Sequence, residues 1–290
     1  MRPPAPADTS PTRAPVHVRE AALTSPPSAI AIDVDHTLIH DDHTLRPATV
    51  AAVKRARADG IHVVLASSRC PRAMLPYIAQ LGLDDGSLFV ALQGALVCRY
   101  VADGSLQIER AEPMALADAA AVGALAAEHG ATATWYRGAD WIAERIDERV
   151  QREADVVGFG PEIRPLADER AAPEKILLVG DRGQSEQLRD AVRALSGRLA
   201  AERSNDRYVE ITKAGVDKAT GVGAVLEILE LGADRLAAIG DGENDLGMFA
   251  LAAVAVAPAN ASALVQAHAT FVTDSNNDDG AAIAIRSLLS

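Results

Sequence analysis

The stretch Ala29-Ile30-Ala31-Ile32-Asp33-Val34-Asp35 constrains this chain more than any other. It is a short, fully apolar run that ends in carboxylates. Such a run reads as a buried strand of a parallel sheet that delivers polar side chains at its carboxyl end. The next sixty residues keep a matching rhythm. Residues 47–59 read as a helix, with Pro47 in its first turn and Gly60 stopping it. Residues 61–66 read as a second buried strand that ends at Ser67-Ser68-Arg69, residues 72–81 as a helix, and residues 88–92 as a third strand that ends at Gln93-Gly94. This βαβαβ pattern predicts an open parallel sheet with right-handed crossovers.

The alternation breaks in the middle of the chain and returns near its end. Residues 97–100 and 106–109 flank Ala102-Asp103-Gly104 as a hairpin, and further strand-like and helical runs continue to residue 211. The last third again alternates, with strands at 236–239, 253–256 and 270–272 and helices between and after them. The expected architecture is therefore α/β: a Rossmann-like core formed by residues 29–96 and 213–290, interrupted by an inserted α+β unit at 97–212. Residues 1–28, rich in Pro, Ala, Ser and Thr and without the apolar stretch of a signal peptide, read as a disordered tail.

Charge and cysteine content narrow the function. A formal net charge of −12 and a pI of about 5.0 exclude a general nucleic-acid binder or a polybasic membrane-surface protein. No apolar run is long enough to span a bilayer. The two cysteines, Cys70 and Cys98, cannot make a disulfide framework and suit a reducing cytoplasm. Oligomeric state is left open by the sequence.

Ligands of open parallel sheets bind beyond the carboxyl ends of the strands. Asp33-Val34-Asp35, Ser67-Ser68-Arg69, Gln93-Gly94 and the segment from Asp241 to Asp245 all fall at such ends, and Lys218 opens the helix after the inserted unit. Carboxylates so close together repel and call for a cation. The all-oxygen set Asp33, Asp35, Asp241 and Asp245 suits a hard ion, magnesium first. One carboxylate can attack phosphorus, and a second can move the proton of the leaving oxygen and then of water. Ser67 and Lys218 can hold phosphoryl oxygens.

These segments, Asp33-Val34-Asp35-His36-Thr37, Leu65-Ala66-Ser67-Ser68-Arg69, Lys218 and Gly240-Asp241-Gly242-Glu243-Asn244-Asp245, resemble in order and spacing the four motifs of haloacid dehalogenase-like (HAD) phosphatases. The inserted block before Lys218, with Asn260-Ala261 and Asp278-Asp279-Gly280, resembles the Cof-type, or IIB, branch. The resemblance implies Asp33 as nucleophile and Mg2+ ligand, and Asp35 as acid/base that gives its backbone carbonyl to the ion. It implies Ser67 and Lys218 as phosphoryl binders, Asp241 as a further ligand and Asp245 as an assisting one. Asn244 would hold the phosphate or Lys218, and the insert would be a mobile cap that selects the substrate. Ser68, Arg69, Gln93, Gly94 and Arg137 are added as possible substrate contacts. His36, Ser67-Ser68 and Gln93 stand where that family usually has Gly, Thr-Gly and Asn. The activity implied is hydrolysis of a small phosphorylated metabolite such as a sugar phosphate. A phosphomutase and a catalytically weak binding protein on the same scaffold are the alternatives.

Overall fold

The computed structural model describes residues 25–83, 86–101 and 103–290. Residues 1–24 of the expected tail lie outside them. Ser25–Ser28 lead directly into the first strand, where Ser28 N–H donates to the Arg235 carbonyl at 2.8 Å.

Strands β1 (Ala29–Asp33), β2 (His62–Ala66) and β3 (Leu88–Ala91) alternate with helices α1 (Pro47–Ala58) and α2 (Pro71–Leu81), and β4 (Leu96–Tyr100) and β5 (Leu106–Ala111) come next as a hairpin. The inserted unit carries α3 (Leu116–Glu128), β6 (Thr132–Arg137), β7 (Asp140–Ala143), α4 (Glu148–Val157), β8 (Glu162–Ile163), β9 (Lys175–Val179), α5 (Ser185–Leu195), β10 (Leu199–Arg203) and β11 (Tyr208–Lys213). The chain then returns to α6 (Lys218–Ile228), β12 (Leu236–Ile239), α7 (Leu246–Leu251), β13 (Val254–Pro258), α8 (Ala263–His268), β14 (Phe271–Thr273) and α9 (Gly280–Leu288).

The first sheet has the order β14-β13-β12-β1-β2-β3-β4-β5, parallel from β14 to β3 and antiparallel beyond. Strand β1 is central and buried on both faces. Ile30 and Ile32 pack under α1, α2 and α9, while Ala29 and Ala31 face α6, α7 and α8. That two-sided burial is why its sequence shows an unbroken apolar run instead of alternation. Because β1, β2, β3 and β12 run parallel, the loops after them leave the same edge of the sheet.

One boundary differs from the sequence reading. The hairpin expected in the inserted unit instead extends the core sheet, with β4 pairing along β3 and β5 along β4. Leu96, Val97 and Cys98 are buried there, and Arg110 on β5 reaches Glu227 on α6 at 2.9 Å. A local hairpin signal shows which strands pair with each other; it does not show which sheet adopts them. The insert proper has its own sheet, β10-β11-β9-β6-β7-β8, and its own apolar cluster beneath α3 and α5.

Trp135, Tyr136 and Trp141 are buried, each at most 3% exposed: Trp135 packs in the insert's own cluster, and Tyr136 and Trp141 join the larger cluster that includes the core sheet. Tyr136 and Trp141 stack with ring centroids 5.8 Å apart. Among the described residues no helix is long and apolar enough to cross a membrane.

Candidate active site

Asp33 ends β1, in register with Ala66 of β2, so Ser67 begins the neighbouring loop beside it. Lys218 opens α6, whose start is fixed by Asp217: its carboxylate accepts the Thr220 N–H at 2.8 Å. The Lys218 side chain is 1% exposed, and its ammonium donates to Asp33 Oδ1 at 2.5 Å and Asp245 Oδ1 at 2.7 Å. Asp241, after β12, joins from the other side. Carboxylate oxygens of Asp33, Asp241 and Asp245 all lie within 4.8 Å of one another. The Thr37 hydroxyl orients Asp241, donating to Oδ1 at 2.7 Å, and Asp245 Oδ2 accepts the Gly242 N–H at 2.9 Å.

Three carboxylates share one ammonium, so the cluster is short of positive charge. Burial, then the neighbouring Asp245, push the Asp33 carboxyl well above the ordinary carboxylate range, against the pull of Lys218. Asp241 is also raised, by burial first, with the Thr37 hydrogen bond opposing and the charge of Asp245 adding. For Lys218, burial favours the neutral amine, but the charges of Asp245 and Asp33 outweigh it and raise its pKa. A set of converging, undercompensated oxygens of this kind fits a hard divalent cation. Asp33, Asp241 and Asp245 are the side chains able to hold one.

The family profile of haloacid dehalogenase-like hydrolases matches residues 30–285, nearly the whole described chain. The chain belongs to that family. It is a hydrolase of that family. A Haemophilus influenzae protein named as a phosphatase is 29% identical over 261 residues, spanning 89% of this chain and 96% of its own. The pyridoxal phosphate phosphatase YbhA of Escherichia coli is 28% identical, covering 90% of this chain and 98% of its own. A haloacid dehalogenase-like hydrolase from Bacteroides thetaiotaomicron has the same fold, with a TM-score of 0.81, 26% identity and coverage of 90% of this chain and 99% of that one.

In this hydrolase the other sequence-predicted residues fall into two groups. Asp35, Ser68, Gln93 and Asn244 line a cavity of about 550 Å3 together with Asp33, Lys218 and Asp241. Ser67 lies just behind that wall, fully buried, its Oγ accepting the Arg69 N–H at 3.1 Å. Asp35 does not join the metal-type cluster through its carboxylate. It turns to Arg69, which holds it bidentately at 2.6 and 2.8 Å. Burial raises the Asp35 carboxyl, but the Arg69 hydrogen bond and charge win and hold it below the ordinary range. Arg69 is therefore a partner of Asp35, not a free substrate contact. Asn244 bonds the Gln93 side chain at 3.2 Å instead of Lys218.

Gly94 and Arg137 act away from the cavity. At Gly94, φ is +100°, and a Cβ there would lie 1.7 Å from the Asp217 carbonyl oxygen. Its role is to let the backbone pass against the start of α6, which seats Lys218. Gly94→Ala is expected to cost at least about 2 kcal/mol, from backbone strain and steric overlap together. It should also depress turnover, because α6 has to shift; urea unfolding and phosphate release measure the two effects. Arg137 pairs with Glu169 and, at 3.7 Å, with Asp140, inside the insert. It is spent on holding β6 to neighbouring segments.

His36 occupies the left-handed region that favours glycine, with φ 55°. Its carbonyl accepts from Asn260 Nδ2 at 2.8 Å and its ring meets Asp41 at 3.0 Å, which offsets the strain of a side chain there. His36 also lines the cavity beside Asp33 and Asp241. The sequence reading missed the opposite wall of the cavity, which the β10–β11 hairpin of the insert supplies as Glu202, Arg203, Ser204, Asn205 and Glu210, with Arg189 from α5. Asn205-Asp206 was the available turn signal, but nothing local shows that this turn meets the core.

Raised carboxyls give a direct test of cation binding. A group whose folded pKa is raised contributes stability below its unfolded value, and that contribution is lost as pH rises through the folded one. Metal-free protein should thus lose the contribution of Asp33 and Asp241 as pH climbs above the usual carboxylate range. Mg2+ binds the deprotonated forms, so it should raise the melting temperature more at about pH 8 than at about pH 5. Equal shifts at both pH values would place the ion elsewhere.

Proposed function

We propose that this enzyme hydrolyses a small, hydroxyl-rich phosphomonoester of the sugar-phosphate class, by transferring the phosphoryl group to Asp33. The carrying observation is the bridge from Lys218 to both Asp33 and Asp245, with Asp241 alongside, at the carboxyl ends of the parallel strands. Lys218 engages Asp33 through Oδ1, so Oδ2 is the oxygen left to attack phosphorus. As the Asp33–phosphorus bond forms, the bond from phosphorus to the leaving oxygen breaks and that oxygen takes up a proton. Water then attacks the phospho-aspartate, releases phosphate and restores the Asp33 carboxylate.

Asp35 is the group for both proton transfers. The Arg69 clamp holds it in the base form, ready for the water step, so protonation of the leaving group requires that clamp to loosen. Ser67 and Lys218 bind phosphoryl oxygens, and the Asn244–Gln93 pair borders the same space. Asp33, Asp241 and Asp245, with the Asp35 carbonyl expected from the family pattern, would hold Mg2+, which would supply positive charge that screens the carboxylate from the phosphate.

The substrate class is supported by the insert's side of the cavity. Arg189, Glu202, Arg203, Ser204, Asn205 and Glu210 are all polar. The insert's tryptophans and Tyr136 are buried and offer no stacking face. Such a wall pairs with hydroxyls better than with an aromatic ring.

The test is phosphate release with Mg2+ and with chelator, across sugar phosphates, polyol phosphates, nucleoside monophosphates and pyridoxal phosphate. The expected result is the highest kcat/KM on a sugar or polyol phosphate, abolished by chelation. Preference for pyridoxal phosphate by about tenfold or more would overturn the substrate class, and absence of release from every compound would overturn the activity.

A further inference from the structure

A chain of hydrogen bonds runs from the cavity wall of the insert to the loop after β2. The Ser204 hydroxyl, which faces the cavity, donates to Glu210 Oε1 at 2.6 Å. The Lys175 ammonium donates to the other oxygen of that carboxylate, Oε2, at 3.1 Å, and to the Ser68 carbonyl at 2.6 Å. Ser68 adjoins Ser67, whose own carbonyl is fixed by the Gln93 N–H at 3.1 Å. One buried side chain thus links two walls of the cavity that belong to different sheets.

Packing alone does not account for a lysine here. Lys175 is 4% exposed, and its ammonium sits 4.9 Å from the centroid of the Tyr136 ring. Burying an ammonium is costly unless each donor finds a partner, and an apolar chain of equal length would fill the same space. What the ammonium adds is a directional bond to the Ser68 carbonyl, shared with a carboxylate that also faces the leaving-group side of the cavity.

We propose that Lys175 is a positioning residue that couples occupancy of the insert's wall to the geometry of the phosphoryl-binding loop. This rests on the hydrolytic reading above. A leaving group that bonds Ser204 or Glu210 reorients the Glu210 carboxylate, and the Lys175 ammonium moves with it. The Ser68 carbonyl then resets, and with it the neighbouring Ser67. The consequence is substrate-dependent: a hydroxylated leaving group that reaches the wall gains from Lys175, and a short aryl phosphate does not.

The experiment compares wild type, Lys175→Met, Ser204→Ala and the double variant on p-nitrophenyl phosphate and on the best sugar phosphate of the panel. Lys175→Met is expected to lower kcat on the sugar phosphate by about tenfold or more while changing that on the aryl phosphate by less than about threefold. Ser204→Ala should lower sugar-phosphate turnover, and the double variant should be no worse than Lys175→Met alone, the mark of two residues on one path. Lys175→Arg, which keeps a cationic donor, should recover most of the loss. Equal losses on both substrates, or additive losses in the double variant, would reduce Lys175 to a structural tie and overturn the proposal.

Hydrogen exchange at the amides of residues 67–70 gives a readout independent of turnover. Faster exchange in Lys175→Met than in wild type supports the coupling even if the wild type hydrolyses neither compound, a result that would instead refute the activity. Unchanged exchange overturns the coupling.

Discussion

Asp33→Asn is expected to abolish phosphate release, with kcat down at least about a thousandfold, while the protein stays folded. The loss arises because an amide oxygen cannot take the place of a carboxylate as nucleophile toward phosphorus. The retained stability comes from the electrostatics of the cluster. Asp33 is buried and crowded by Asp245 and Asp241, with only Lys218 to compensate. Replacing it with a neutral group of the same shape removes repulsion from the metal-free protein. Its melting temperature without Mg2+ should therefore equal or exceed that of wild type, and its gain on adding Mg2+ should shrink because one of the three ligands is weakened. Lost activity with retained stability separates a nucleophile from a structural carboxylate. Residual turnover above about a tenth of wild type would remove Asp33 from that role.

Lys218→Met is the converse case, with stability and activity lost together. The ammonium is 1% exposed and lies against two carboxylates. Its removal leaves Asp33 and Asp245 facing each other without a counter-charge, and breaking a buried ion pair from one side costs about 3–5 kcal/mol. The variant should be least stable at neutral pH without metal. It should recover as pH falls, because carboxyls already raised by burial are raised further and protonation relieves them; the stability is present below the ordinary carboxylate value and lost as pH rises through the raised one. Mg2+ should restore part of it. Even when folded by Mg2+, the variant would lack the cation proposed to meet the phosphoryl oxygens, an expected loss of roughly 100- to 1000-fold in kcat/KM. Chemical denaturation across pH, with and without Mg2+, checks the first effect, and steady-state kinetics checks the second. A variant as stable as wild type at neutral pH without metal would show that Lys218 does not carry the charge balance of the site.

The order of motifs made the core legible from sequence. Fully buried parallel strands are apolar along their whole length, and their polar punctuation falls at one edge. The run ending at Asp33, the run ending before Ser67 and the run ending before Asp241 therefore align on residue pattern alone. Lys218 was legible by its place at a helix start, and the three converging carboxylates by residue type. The reading faltered wherever a side chain had a choice of partner. Arg69 is next to the phosphoryl loop in sequence, yet it clamps Asp35. Arg137 lies in a turn of the insert, yet Glu169 takes it. Asn244 lies in the fourth motif and lines the cavity, yet its side-chain partner there is Gln93, not Lys218. Gly94 serves a helix that begins more than a hundred residues later.

What the sequence by itself determined is the chemistry at the strand ends: which residues carry charge, which strand delivers them, and hence that a hard cation and a phosphoryl group suit the site. Strand burial and strand direction are local properties, written in composition and spacing. Only the tertiary structure decided that the first hairpin belongs to the core sheet, that the β10–β11 hairpin closes the cavity, and that Lys175 reaches across to Ser68. Those are contacts between segments far apart in the chain, chosen by the packing of two sheets, and a side chain's residue type does not reveal which of several distant partners that packing brings within hydrogen-bonding reach.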